Sequence, residues 1–279
     1  MLVVRKFARD VSGMVGLVIV LVTAIVALFA GSLAPHPLDA YESHPLQRLQ
    51  APSGAFAFGT DNLGRDVLSR VILGSRAALT VALLVVTGAM LIGVPLGLVA
   101  GYYRGWAPEL IMRVTDVFLA VPQLILALAL AQLLGPSLRN AMVALALTYW
   151  PFFTRIVYAE TRRIRVSVFV EALQGLNASG LRIMFAHILP NAAPPIIVRA
   201  TIGMGFTILS AAVLGFLGMG ATPPDPEWGL AISESRQYLP EAWWFATFPG
   251  LAIFLVVFGF NLLGDGLRDV VDPRLRRSR

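Results

Sequence analysis

Residues 11–33 read Val-Ser-Gly-Met-Val-Gly-Leu-Val-Ile-Val-Leu-Val-Thr-Ala-Ile-Val-Ala-Leu-Phe-Ala-Gly-Ser-Leu, without one charged side chain. A helix of this length, rising about 1.5 Å per residue, crosses the roughly 30 Å hydrocarbon layer of a bilayer. The apolar region of a secretory signal is only about 7–15 residues long, so this run is read as a retained anchor. Five further apolar runs follow, at about 77–103, 114–134, 141–158, 192–219 and 243–263. The expected fold class is therefore all-α: a polytopic membrane protein with six transmembrane helices. Composition agrees, with 57% of the 279 residues hydrophobic and 14% charged, against about a quarter charged in a soluble domain. A mean hydropathy of +0.75 exceeds what one soluble core hides, because a domain of this size still needs a wetted surface.

The connecting segments set the orientation. With the amino terminus inside, fifteen of the 22 basic residues fall in inside segments and six in outside ones, while Arg199 lies within the fifth span. Basic residues are retained on the cytoplasmic side, so both termini are expected in the cytoplasm. Residues 34–62 read as an external loop. From Asp61 onward, Leu63, Val67, Leu68, Val71 and Ile72 share one helical stripe opposite Arg65, Asp66, Ser69 and Arg70. That pattern predicts an amphipathic helix lying at the interface, N-capped by Asp61. Residues 1–74 thus form an amino-terminal region of first span, external loop and interfacial helix, and residues 75–279 hold the other spans. Pro95, Pro122, Pro151, Pro194, Pro195 and Pro249 lie within or beside spans and are read as fixed kinks.

Several chemistries are excluded. The chain has no cysteine, hence no disulfide, thiolate zinc site or thiol nucleophile. Its three histidines lack the i, i+4 spacing of a helical metal site, so neither a metal nor a cofactor is expected. Lys6 is the last lysine, and a P-loop needs one to reach the nucleotide phosphates; the chain is no P-loop ATPase. A pI near 10.3 does not indicate nucleic acid, because the arginines sit between spans rather than on one basic face. An ion-coupled secondary transporter needs ionisable groups near mid-membrane, and only Arg199 is well inside a span. An intramembrane hydrolase lacks a base, since Ser210 has no acid/base partner nearby in sequence.

The longest inside connection, about 159–191, is neither Gly/Ser-rich nor uniformly charged. Val168 to Leu176 predicts a short helix, with Asn177 suited to a left-handed C-cap. Ser179 then caps a second helix through Leu189 that Pro190 stops. By periodicity alone, the first helix either docks in the groove of a soluble partner or rests on headgroups, with Arg162, Arg163 and Arg165 holding anionic membrane lipids.

Glu171-Ala172-Leu173, followed by Asn177 and His187-Ile188-Leu189-Pro190, resembles the E-A-A-x3-G-x9-I-x-L-P loop of inner-membrane permeases from binding-protein-dependent ABC importers. Leu173 replaces the third-place Ala, Asn177 the Gly, and His187 the Ile. Three more stretches are similar to the dipeptide/oligopeptide/nickel group: Phe58-Gly59-Thr60-Asp61 with Leu63-Gly64-Arg65-Asp66; Phe216-Leu217-Gly218 with Pro223-Pro224 and Trp228-Gly229; and Asn261 to Asp269 with Asp272-Pro273-Arg274. Ala211 stands where many members carry an acid.

The resemblance covers nearly the whole chain. It implies a type I ABC importer permease fold, with 75–279 as the permease domain, and a multi-pass place in the bacterial inner membrane. It implies a translocation subunit that is no enzyme itself. The partners it implies are a second homologous permease, two cytoplasmic ATP-binding subunits that hydrolyse ATP, and an extracytoplasmic solute-binding protein. The ATPase-coupling helix is then Glu171, Ala172, Leu173, Gln174, Gly175, Leu176, Asn177 and Ala178. In it, Leu173 and Leu176 dock, Glu171 makes an orienting polar contact and Asn177 forms the turn. Dipeptides or oligopeptides are the implied cargo, with nickel or another small solute as the alternative; the residues that bind it are unknown from sequence.

Overall fold

Asp10 starts the long apolar helix nearest the amino terminus among the described residues, its carboxylate accepting the Gly13 N–H at 3.0 Å. In the computed structural model, which describes residues 7–271, this helix, α1, runs Val11–Leu28. It packs on the last helix, α9 (Trp243–Val271), through contacts that leave no room for side chains. A Cβ on Gly16 would sit 2.4 Å from the Leu263 nitrogen, and one on Gly266 would meet the Gly13 Cα at 2.5 Å. Glycine lets two helix backbones approach in this way, which is a main source of helix association in lipid.

α2 spans Val67–Tyr102, 36 residues, or about 54 Å, so it outruns the hydrocarbon layer. Its first turns are the segment expected as a separate interfacial helix, and that expectation is corrected here. The N-cap is Asp66, whose carboxylate accepts from the Ser69 N–H at 2.9 Å and the Ser69 hydroxyl at 2.6 Å, rather than Asp61. Arg65, Asp66, Ser69 and Arg70 are buried. Their stripe is polar because it bonds inward, to Asp61, Glu234 and backbone carbonyls.

The third span is also corrected. Residues 114–134 do not form one helix: α3 (Trp106–Ala120) and α4 (Gln123–Leu134) meet at 90°. Pro122 has no N–H, and its ring drives the preceding residue out of helical space; Val121 is extended at φ −92°, ψ 132°. Among the described residues, five helices are long and apolar enough to cross a membrane, and six spans result if the bent pair counts as one.

α5 (Leu138–Arg165) lies along α2. Gly93, Gly97 and Gly101, one turn apart, form the seam: an added Cβ would lie 2.4 Å from the Trp150 carbonyl, 2.7 Å from the Thr154 carbonyl and 2.6 Å from the Thr161 Cβ. Thr154 donates its hydroxyl to the Gly93 carbonyl at 3.2 Å across it. Around this seam, Leu98, Phe153, Val157, Ile183, Met184 and Ile188 build a buried core between α2, α5 and the start of the next long helix.

That helix, after the short α6 (Val168–Gly175), is α7 (Gly180–Phe216). Pro190 was expected to stop a helix at Leu189 and does not. The helix widens to a π turn over Ile183–Ile188, where Leu189 N–H reaches the Met184 carbonyl. Pro190 then falls in the first turn of the α segment Leu189–Phe216, where its missing N–H is not needed. A short helix, α8 (Trp228–Ser235), fills the connection to α9 with Glu227 as its cap.

The stretches shared with the permease group meet at the end of the bundle where α2 begins. Asp61 accepts from the Leu63 N–H at 2.8 Å, the Arg65 N–H at 2.9 Å and Arg65 Nε at 2.6 Å. Arg65 reaches on to Glu234 of α8 at 2.9 Å. Arg70 donates to the carbonyls of Ala40, Pro224 and Asp225, and Trp228 and Trp244 donate to the carbonyls of Val71 and Thr60. Gly64 turns at φ +80°, with the His44 carbonyl so near that a Cβ would be 2.0 Å away. Loop 34–66, α8 and both flanking helices are thereby tied into one unit. Asp272, Pro273 and Arg274, also part of the shared pattern, lie outside the described residues.

Candidate coupling surface

α6 stands at the opposite end of α2 from that unit, beyond the end of α5. Ser167 precedes it, and the helix rests on one fully buried side chain, Val170, which joins Ile183, Met184 and Ile188 in the core. Leu173 and Ala178 pack partly buried against the same cluster. Glu171, Ala172, Gln174, Gly175, Leu176 and Asn177 are exposed, Leu176 by 80% and Val168 by 81%. A short helix thus shows a small, apolar and acidic face outward, held on an inward anchor.

The end of α6 explains why Asn177 is tolerated. Asn177 adopts φ +58°, the left-handed region that asparagine enters more readily than other side-chain-bearing residues. Its N–H bonds the Gln174 carbonyl at 3.0 Å, and the next N–H, Ala178, bonds back to Leu173 at 3.1 Å. This pair of bonds is a Schellman ending, and the apolar contact that accompanies it falls on Leu173 and Ala178. Leu173, expected to dock outward with Leu176, is instead half-committed to the chain's own core. The outward apolar residues are Val168, Phe169 and Leu176.

The surroundings brace the helix. Gln174 donates to the Tyr102 hydroxyl at 3.5 Å, and the Arg165 guanidinium lies 5.8 Å from the Tyr102 ring centre. Tyr103 packs edge-on to Tyr102 and covers Gly180, where a Cβ would be 2.8 Å from its hydroxyl. Ser179 caps the first turn of α7 with its hydroxyl 3.4 Å from the Arg182 N–H. Of the three arginines before α6, Arg162 donates to the Tyr158 hydroxyl and Arg163 pairs with Glu160. The bracing by Tyr102 and the anchoring by Val170 escaped the sequence reading. The one available signal was the apolar i, i+3 pair Val170 and Leu173.

Residues 93–277 match the family described as binding-protein-dependent transport system inner membrane component. The chain belongs to that family. Residues 1–52 of the permease match the N-terminal TM domain of oligopeptide transport permease C. It is 45% identical over 272 residues to the dipeptide transport system permease protein DppC of Alkalihalophilus pseudofirmus, covering 98% of this chain and 89% of that protein. Identity is 42% to the probable D,D-dipeptide transport system permease protein DdpC of Escherichia coli K12, covering 92% of this chain and 86% of that one. It is also 42% to the glutathione transport system permease protein GsiD of Pectobacterium atrosepticum, with 98% and 90% covered. The fold resembles a chain of the inward-facing MetNI methionine ABC transporter, with a TM-score of 0.57 and 21% identity over 72% of this chain and 96% of that one. The protein is an ABC importer permease subunit of the inner membrane, with several helices through the bilayer.

Proposed function

We propose that this permease carries short peptides, delivered by an extracytoplasmic solute-binding protein, through a pathway formed with a second permease subunit. Two separate ATP-binding subunits in the cytoplasm drive it. The relatives named above transport a dipeptide, a D,D-dipeptide and glutathione by their names, all short peptides with a free carboxylate. Peptide is therefore favoured over nickel.

The observation that carries the coupling role is the exposed α6 helix on its buried Val170 anchor. A force applied to the outward face, Val168, Phe169, Glu171 and Leu176, passes through Val170 to the core that α2, α5 and α7 share. Closure of the nucleotide-binding dimer then favours the outward-open arrangement of the spans by the difference in its contacts with α6 in the two states. In this orientation α6 and both termini lie in the cytoplasm, and the tied unit of loop 34–66 with α8 faces the binding protein.

Reconstitution tests this reading. Proteoliposomes holding the full complex with binding protein and ATP should accumulate labelled dipeptide, and omission of any partner should abolish it. Accumulation by this chain alone, or transport of Ni2+ and no peptide by the full complex, would contradict it.

A further inference from the structure

Arg199 sits near the middle of α7, and among the described residues no carboxylate pairs with it. Its guanidinium carbon lies instead 4.7 Å from the Phe152 ring centre and 5.3 Å from that of Tyr149, both on α5. Aromatic faces stabilise a cation by about 0.5–2 kcal/mol, which does not replace a counter-ion for a charge held among apolar spans. Beside it, the buried Tyr149 hydroxyl has no well-aligned partner other than the Arg199 guanidinium itself. It faces Gly203, one turn beyond Arg199, where a Cβ would be 2.7 Å away. Buried polar atoms of folded proteins are almost all satisfied. A guanidinium held by two rings, with no carboxylate against it, describes a place for an anion.

A cavity of about 500 Å³ opens here, with Pro194, Pro195, Val198 and Ile202 on its α7 wall and Arg199 among its lining residues. Glu160, Arg163 and Arg268 also line it, and Glu160 is neutralised by its bond with Arg163. The cavity keeps a net positive charge and mostly apolar walls. A planar guanidinium with a fork of donors matches a carboxylate, and the apolar walls suit side chains next to it.

We propose that Arg199, held by the Tyr149 and Phe152 rings, is the carboxylate subsite of the permease and grips the C-terminal carboxylate of the peptide in transit. This rests on the peptide reading above. The fifth span's lone charge then serves to hold an anionic group inside the bilayer while the spans rearrange around it.

The experiment compares ATP-driven uptake of a labelled dipeptide and of its C-terminal amide by the reconstituted complex. One binding protein serves throughout, so its own preference cancels in the ratio of variant to wild type. Arg199→Gln should lower uptake of the free-carboxylate peptide by about 10- to 100-fold, the loss of a charge-assisted pair, and leave uptake of the amide within about twofold. Arg199→Lys should fall between, because it keeps the charge and loses the fork. Tyr149→Phe, which keeps the ring under the guanidinium, should leave both uptakes within about twofold, and Arg199→Lys covers the case where Arg199→Gln fails to assemble. In the Arg199 variants, equal losses for both substrates would make Arg199 a structural cation and overturn the subsite, as would unchanged uptake of both. If the wild-type complex takes up no peptide at all, the peptide reading falls and the subsite with it. Normal wild-type uptake without the selectivity change removes the subsite alone.

Discussion

Replacing Gly97 or Gly93 by alanine forces α2 off α5, and the structure sets the size of the effect. The added methyl at position 97 would lie 2.7 Å from both the Thr154 carbonyl oxygen and the Val157 Cβ; at position 93 it would lie 2.4 Å from the Trp150 carbonyl. Ordinary contact begins at 3.4 Å, so the shortfalls are about 0.7 Å and 1 Å. The obstructing atoms are backbone or Cβ, which no rotamer change removes. The helix must retreat as a body, and overpacking of this kind costs about 1–3 kcal/mol. At position 93 the retreat also strains the Thr154 bond to the Gly93 carbonyl, for an expected total near 2–4 kcal/mol. One displacement relieves both sites, so Gly93→Ala plus Gly97→Ala should cost less than the sum of the singles. Gly250, in α9, has nothing within 4 Å of its would-be Cβ, and Gly250→Ala should be neutral or stabilising by up to about 1 kcal/mol. Unfolding in mixed micelles, followed by tryptophan fluorescence, measures all four variants. If Gly97→Ala matches Gly250→Ala, the close seam is not where the structure places it.

Three other outcomes follow from the same geometry. Arg65→Met leaves the fully buried Asp61 with only the more distant Arg70 guanidinium, 3.5 Å away, and should destabilise by about 3 kcal/mol in the same unfolding assay, whereas Glu234→Gln, on the wetter side of the cluster, should cost about 1 kcal/mol. Asn177→Gly should leave peptide uptake per ATP intact, while Asn177→Val, forced into the left-handed region at a cost of about 1–2 kcal/mol, should lower that ratio. Burial pushes the Glu227 carboxyl above its ordinary value near 4.5, against the opposing pull of the Gly229 and Leu230 N–H bonds and of Arg70. A raised carboxyl stabilises the fold fully below that ordinary value and loses its contribution as pH rises through the raised one. The melting temperature of Glu227→Gln relative to wild type should therefore climb as pH rises above about 4.5; a constant difference would contradict the burial effect.

What the sequence disclosed, and what it hid, divides along physical lines. The apolar runs were legible because nothing soluble explains them, and Asn177 was legible because few residues accept its backbone geometry. The first turns of α2 were misread because periodicity shows that Arg65, Asp66, Ser69 and Arg70 share a face without showing what that face meets. Their partners, Glu234 and the carbonyls of Ala40 and Pro224, are far away in the chain. The break at Pro122 was visible as a proline and was read as a bend inside one helix rather than its end. Pro190 erred the other way, since a π turn admitted it. Gly93, Gly97 and Gly101 carried the small-residue spacing of a helix seam in plain view. Of α6, the exposed face was legible; the inward turn of Leu173 was not, because it depends on Ile183 and Ile188 one helix later.

The sharpest test of the coupling role uses the absence of cysteine from the chain, which lets single thiols be placed at will. A thiol-attached photo-crosslinker at Leu176→Cys, in the assembled importer, should capture an ATP-binding subunit. The same reagent at Leu46→Cys, a position 98% exposed in the loop at the far end of the bundle, should capture none. Capture of the ATP-binding subunit from position 46, or its absence from position 176 in a complex that transports, would contradict that role.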